Sequence, residues 1–185
     1  MNPETAALRA IEALLHPVLA MDGEDRLVLA NGALWRETGA DPARFPPGTP
    51  LRDILRLLAF RGLLGPGDPA LLAAEAFALD RSMPSTSHRR SADGARIFEV
   101  TSLPLAGGGC VLCLFDITAL QRAEGQARAA AALFERVLDV QRGGIALFDE
   151  TQHLLLHNRA YRRHAGATPD ILAGRPTLRR IMEGL

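Results

Sequence analysis

The sequence predicts an α+β chain: two short strands, several short helices, three further strands and a long helix, after which the opening elements begin again. Three observations carry this reading. Strand-length apolar runs bracket a helix-rich middle. Asp-Gly and Gly-rich turns separate the later runs. The chain also matches itself at a fixed offset.

The elements follow in order. Residues 17–21 form a short apolar run, Asp22-Gly23-Glu24-Asp25 is a polar turn, and residues 27–30 are apolar again, which is a hairpin signal. Asn31 follows, and residues 33–38 read as a helix closed by Gly39. Phe45-Pro46-Pro47-Gly48-Thr49-Pro50 breaks any regular element. Leu51, Ile54, Leu55 and Leu58 recur at helical spacing, predicting a helix over 51–60. A Gly/Pro loop spans 62–69, and 70–79 reads as another helix. Strands are predicted over 85–90, 96–103 and 109–115. The turn at Ala92-Asp93-Gly94 suits a hairpin because Asp and Gly tolerate positive φ, and Ala106-Gly107-Gly108 marks the second turn.

The repeat appears when Asn31 is placed on Asn158 (158 − 31 = 127), and it runs without a gap from about Ala10 to the chain end. Asp22 meets Asp149, Leu27 meets Leu154, Ala33 meets Ala160, Gly39 meets Gly166, Ala40 meets Ala167 and Pro42 meets Pro169. Further on, Leu51-Arg52 meets Leu178-Arg179, Ile54 meets Ile181 and Leu58 meets Leu185. About a quarter of the aligned positions are identical, and the Asn, Gly and Pro that carry turn chemistry fall in register. The second copy reaches only the counterpart of Leu58, so it is expected to hold about half a unit, either cut there or continuing in a longer chain.

These residues carry a family resemblance. Met21-Asp22-Gly23 with Leu27-Val28-Leu29-Ala30-Asn31 resembles the opening hairpin of PAS domains. Arg90-Ser91-Ala92-Asp93-Gly94 resembles the polar turn before their penultimate strand, and Asp116-Ile117-Thr118 resembles the motif that ends their last strand. Residues 60–69 are similar to a PAS subgroup of bacterial sensor histidine kinases. The resemblance implies a PAS-like five-stranded antiparallel sheet with helices on one face, then a long linker helix and a partial second PAS unit. The expected division is a helical extension at 1–13, a complete PAS domain at 14–118, a signalling helix at 119–140 and the first half of a second PAS domain at 141–185. The implied function is sensory input and dimerisation for a downstream effector in the same protein, with Asp116 and Thr118 as signal output. A sensor histidine kinase is the parent expected from the resemblance. A cyclic-di-GMP enzyme, a transcription regulator, and a ligand-free structural dimerisation domain stay open as alternatives. No catalysis is expected from this chain.

In the linker, Thr118 and Gln121 have capping-box spacing. Leu120, Ala123, Ala127, Ala130, Phe134, Val137 and Gln141 alternate three and four residues apart, which is a heptad seam. Two readings of it are open: a contact between two copies in a homodimer, or a helix packed on its own domain.

Composition bounds the rest. The chain has 185 residues, of which 48% are hydrophobic, so a core is affordable to it. The basic and acidic residues balance at 21 each, and every cation is Arg. A neutral chain with no basic block argues against nucleic acid and against electrostatic membrane binding as its task. No apolar run approaches a membrane span, and the N-terminus lacks a signal-peptide pattern, so a cytoplasmic location is expected.

Cofactor chemistry finds little support. Cys110 and Cys113 are three apart on a strand and should face opposite sides, which suits buried apolar Cys better than a metal pair. The flavin-binding PAS group requires a reactive Cys in an Asn-Cys-Arg-Phe-Leu-like segment, which is missing here. Of His16, His88, His153, His157 and His164, none lies in 51–79, where haem-binding relatives place an axial His; His88 alone could reach the pocket from a strand. No phosphate-loop or zinc pattern occurs. No cofactor is therefore expected, and a small ligand of unidentified chemistry remains compatible.

Overall fold

The computed structural model describes residues 2–166 and 169–184, and the chain divides into two compact units, 1–122 and 123–185. The repeat partners Ala167 and Leu185 lie outside the described residues.

The first unit opens with helix α1 (Pro3–Glu12) and the hairpin β1 (Val18–Met21) and β2 (Leu27–Ala30). Asp22 closes the hairpin: its Oδ1 accepts from the amides of Glu24 and Arg26, both at 2.9 Å, and Asp25 takes a left-handed φ of 55°. Helix α2 (Gly32–Thr38) starts from Asn31 and stops at Gly39, whose φ of 63° suits a residue without Cβ. A 3-10 turn at Pro42–Arg44, capped by Asp41, follows. Helix α3 (Leu51–Phe60) buries Leu51, Ile54, Leu55, Leu58 and Ala59 along one stripe. Each buried Leu or Ile there contributes about 1.5–3 kcal/mol.

Helix α4 spans Pro69–Phe77, not 70–79. Asp68 caps it with Pro69 at the first helical position, where a missing N–H costs nothing. Its end is set by a side chain just beyond it: the Arg81 guanidinium donates to the carbonyls of Ala76, Phe77 and Leu79. Strands β3 (Ser85–Arg90), β4 (Ile97–Pro104) and β5 (Cys110–Asp116) complete an antiparallel sheet of order β2-β1-β5-β4-β3. Phe98, Leu112, Leu114 and Leu19 face α3 and α4 across the core. A Cβ on Gly109 would stand 2.1 Å from the Met21 carbonyl oxygen, so only glycine lets β5 turn in beside β1.

Helix α5 (Thr118–Asp139) leads into the second unit. There β6 (Ala146–Phe148) and β7 (Leu154–His157) form a hairpin, followed by α6 (Arg159–Ala165), α7 (Pro169–Leu172) and α8 (Leu178–Glu183). Its small core is Leu154, Leu172 and Ile181. The repeat holds bond by bond. Asp149 Oδ1 accepts from the amides of Thr151 and His153 as Asp22 does from Glu24 and Arg26. Both hairpins carry a register shift at the same place, between Ala20 and Met21 and between Leu147 and Phe148. Gln152 repeats the positive φ of Asp25, and Gly166 repeats that of Gly39.

In the first unit β1 is paired on both sides, whereas among the described residues β6 pairs only with β7. An unpaired strand edge opens easily. Hydrogen exchange should therefore find the β6 amides less protected than those of β1. Equal, slow exchange in both hairpins of a monomer would show that the edge is covered.

Candidate functional site

A cavity of about 70 Å³ lies in the first unit between the inner face of the sheet and helices α3 and α4. Its walls are unequal. Leu19, Leu55, Leu58, Leu64, Leu112 and Leu114 form an apolar side. Ser85, Ser87 and Arg89 of β3, Ser102 of β4 and Arg81 of the preceding loop form a polar side. Strand alternation places Ser85, Ser87 and Arg89 on the cavity face and turns His88 outward. The His88 Nε2 stands 3.1 Å from Glu99 on that outer face, so the one histidine with a route to the pocket does not reach it.

The Ser102 hydroxyl is the outlier. The residue is 6% exposed, and its Oγ has no hydrogen-bond partner among the described residues. A buried polar group left so costs about 1–3 kcal/mol. Its neighbour Cys110 is buried, and burial pushes that thiol up, against smaller lowering effects of Arg81 and Ser102. It stays protonated and offers the serine only a weak thiol contact. Cys113 sits on the opposite face, half-buried, with its thiol also pushed up by burial. The described residues contain no cluster of His, Cys, Asp and Glu able to hold a metal, and no helix among them is long and apolar enough to cross a membrane.

The sheet meets α5 at Asp116 and Thr118. The Thr118 hydroxyl accepts from the Ile97 amide at 2.9 Å, so it is turned to the sheet. The expected capping box with Gln121 is not the arrangement found; the Gln121 amide donates to the Ile117 carbonyl. Capping falls to Asp116, whose Oδ1 accepts from the Thr118 amide at 2.9 Å. Residues that spacing could not have picked complete the junction. Arg96 Nη1 lies 2.7 Å from Glu37 of α2 and 4.0 Å from Asp116, with its guanidinium 4.8 Å over the ring of Phe98. Arg122 donates to the Ala95 carbonyl at 2.9 Å. Sequence offered only a faint pointer to them: Arg96 follows the Asp-Gly turn and Arg122 follows the Asp-Ile-Thr motif. One arginine thus joins helix α2, a core aromatic and the foot of the linker.

Along α5 the heptad positions Leu120, Ala123, Ala127, Ala130, Phe134 and Val137 are all exposed, with Leu120 at 57%, Phe134 at 56% and Val137 at 49%. Thr118 is the buried residue of this helix. Gln141 lies past its end and is exposed.

The carboxyl of Asp116 is held below its ordinary value: burial raises it, but hydrogen bonds from Thr118 and the charges of Arg96 and Arg122 together outweigh that. A lowered acid contributes stability above its unfolded value near 3.8, and this is lost as pH falls through the folded value. Asp116→Asn keeps the acceptor and removes the charge. The parent should lose stability on acidification from about pH 5 to about pH 3 more steeply than the variant. Urea unfolding at several pH values checks this; parallel profiles would show that the carboxylate is not linked to folding.

Residues 11–125, more than half the chain, match the PAS fold family. Over 90 residues the chain is 28% identical to the sensor protein DivL of Caulobacter vibrioides, a stretch covering 49% of this chain and 12% of that protein. The chain therefore spans a small part of that relative. Among solved structures, the PAS domain of Bordetella pertussis BvgS is similar at 22% identity and a TM-score of 0.45, covering 70% of this chain and 99% of that one. A domain of a sensory box sensor histidine kinase/response regulator from Geobacter sulfurreducens is similar at 19% identity and a TM-score of 0.37, covering 61% and 94%. With the five-stranded antiparallel sheet, the helices over one face and the match across residues 11–125, the chain belongs to the PAS fold family.

Proposed function

We propose that this chain is the sensory input and dimerisation region of a bacterial signal-transduction protein of the sensor histidine kinase type. Residues 14–118 receive the signal, 119–140 carry it, and 141–185 begin a second PAS unit. The cavity under the sheet is the input site. Asp116 and Thr118 form the output, and phosphotransfer belongs to a region of the parent outside these residues. The observation that carries the reading is the junction: Arg96 links α2, Phe98 and Asp116, which ties the domain's first helix and its sheet to the foot of α5.

The rival reading is a ligand-free dimerisation domain. A largely apolar pocket with a few polar groups along one side favours sensing over it. For the linker, the exposure of the whole heptad seam favours contact with a second copy over self-packing. Leu120, Ala127 and Phe134 with Ala123, Ala130 and Val137 then meet their equivalents across a parallel two-fold axis. Alanines allow close approach, and Phe134 supplies the largest apolar surface.

Phe134→Glu would set two like charges in a desolvated seam, at a cost of about 3–5 kcal/mol. Light scattering should report a dimeric parent and a monomeric variant, while circular dichroism shows the first unit still folded. A variant that stays dimeric refutes the seam; one that unfolds the first unit places Phe134 in that unit's core.

A further inference from the structure

We propose that helix α6 of the second unit is a docking face for an acidic protein segment, held through Arg159, Arg162 and Arg163. This face belongs to the second unit alone and does not depend on the cavity of the first.

Spacing brings the three arginines together. They occupy i, i+3 and i+4 of α6, so they lie on one side of the helix. All three are exposed, and none makes a side-chain hydrogen bond or ion pair among the described residues. The helix carries no acid, so like charges stand beside one another with nothing on α6 to offset them. Cations in the last turn suit the helix dipole, which accounts for Arg162 and Arg163. Arg159 is the first helical residue, where the dipole opposes a positive charge.

The fold itself does not require these cations. At the repeat offset their counterparts are Gly32, Trp35 and Arg36 (159 − 32 = 127), so the first unit builds the same helix with one cation there. Trp35 stacks on Phe45, a packing role that the exposed Arg162 does not fill. The exchange at Gly32 is a coupled one. A Cβ on Gly32 would stand 2.5 Å from the Glu12 Oε1, so a side chain there would displace that carboxylate from the Gly32 amide. In the second unit the shorter Asp139 holds the Arg159 amide at 2.7 Å, and the arginine side chain is accommodated beside it. An acid one methylene shorter keeps the joint while a cation is added to its surface.

The class of partner follows from the chemistry of the cations and from how few they are. The planar arginine fork matches a carboxylate with two parallel N–H bonds. Basic segments that hold anionic membranes use about four to eight cations. Strongly salt-dependent nucleic-acid binding draws on about six to ten phosphate contacts. Three arginines on one short helix fall below both and suit a few carboxylates of a peptide. The balance of 21 basic and 21 acidic residues gives the chain no long-range pull on a polyanion.

The test uses the whole chain and a fluorescein-labelled peptide of glutamate and alanine, with the same peptide carrying glutamine for glutamate as control. Anisotropy at low salt reads the affinity, and amide-resolved NMR reads the place. The glutamate peptide should bind, shift the amides of residues 158–166 more than any others, and weaken as salt is raised. The glutamine peptide should bind at least about tenfold more weakly. Arg159→Gln, Arg162→Gln and Arg163→Gln together should lower the affinity at least about tenfold. Arg36→Gln, Arg44→Gln and Arg56→Gln, at exposed positions of the first unit, remove the same charge and should change it less than about twofold. Should the first triple variant lose helical signal by circular dichroism, Arg163→Glu alone takes its place, with a similar loss expected. Equal losses in the two triple variants, shifts centred elsewhere, or no binding overturn the proposal. Tighter binding to phosphatidylserine vesicles or to single-stranded DNA than to the peptide also overturns it, since the partner is then a polyanion of another class. None of these results bears on the cavity of the first unit.

Discussion

A single buried asparagine in each unit holds the chain's entry, first strand and first helix together. Asn31 is fully buried; its Oδ1 accepts from the amides of Val18 at 3.0 Å and Leu34 at 3.3 Å, and its Nδ2 donates to the carbonyls of Ile11, Leu14 and His16. Asn158 does the same 127 residues on (158 − 31 = 127): its Oδ1 accepts from Ile145 and Tyr161, and its Nδ2 donates to Leu138 and Gly143. An acid reinforces each joint, Glu12 accepting from the Gly32 amide and Asp139 from the Arg159 amide. Only an amide side chain offers donors and an acceptor at once in so small a volume. The end of the helix before each unit is thereby fixed to the unit's first helix.

This gives the linker its mechanical character. Its first turn is tied to the sheet of the first unit through Thr118, Asp116 and Arg122, and its last turn is tied to Asn158 through the Leu138 carbonyl. Gly125, in its interior, is the weak point by propensity. The all-arginine composition fits the same economy. Arg81 holds three backbone carbonyls, Arg122 holds one, and Arg96 joins an ion pair to an aromatic face. The compact ammonium of lysine has no planar fork with which to do this.

Much of this was legible in the sequence, for local reasons. Turn residues fix the hairpins and the end of α2: Asp22, Gly94 and Gly39 each act where a side-chain acceptor or a positive φ is needed. The stripe of Leu51, Ile54, Leu55 and Leu58 gave α3 its bounds. The repeat was visible because Asn, Gly and Asp carry those turns in both copies. What spacing could not show depends on partners far along the chain. Thr118 reads as a helix cap locally, yet the Ile97 amide, 21 residues away, claims its hydroxyl. The end of α4 is a local exception: Arg81, four and five residues on, captures the carbonyls of Phe77 and Ala76, which a propensity reading does not weigh. Arg96 and Ser102 look ordinary in sequence; a sheet register and a lack of partners make them notable.

The account rests on two units, each built round its own asparagine joint, and Trp35 gives a direct test. It is the chain's one tryptophan, lies on α2 beside Asn31, and stacks on Phe45 at 5.6 Å. Urea unfolding of Asn31→Ala and Asn158→Ala should be followed by Trp35 fluorescence and far-ultraviolet circular dichroism. Asn31→Ala should lower the stability that Trp35 reports by about 3 kcal/mol, since it strands several buried partners. Asn158→Ala should leave the Trp35 transition in place and bring a separate loss of helical signal to lower urea. A Trp35 transition that moves equally in both variants, or in neither, would contradict the account.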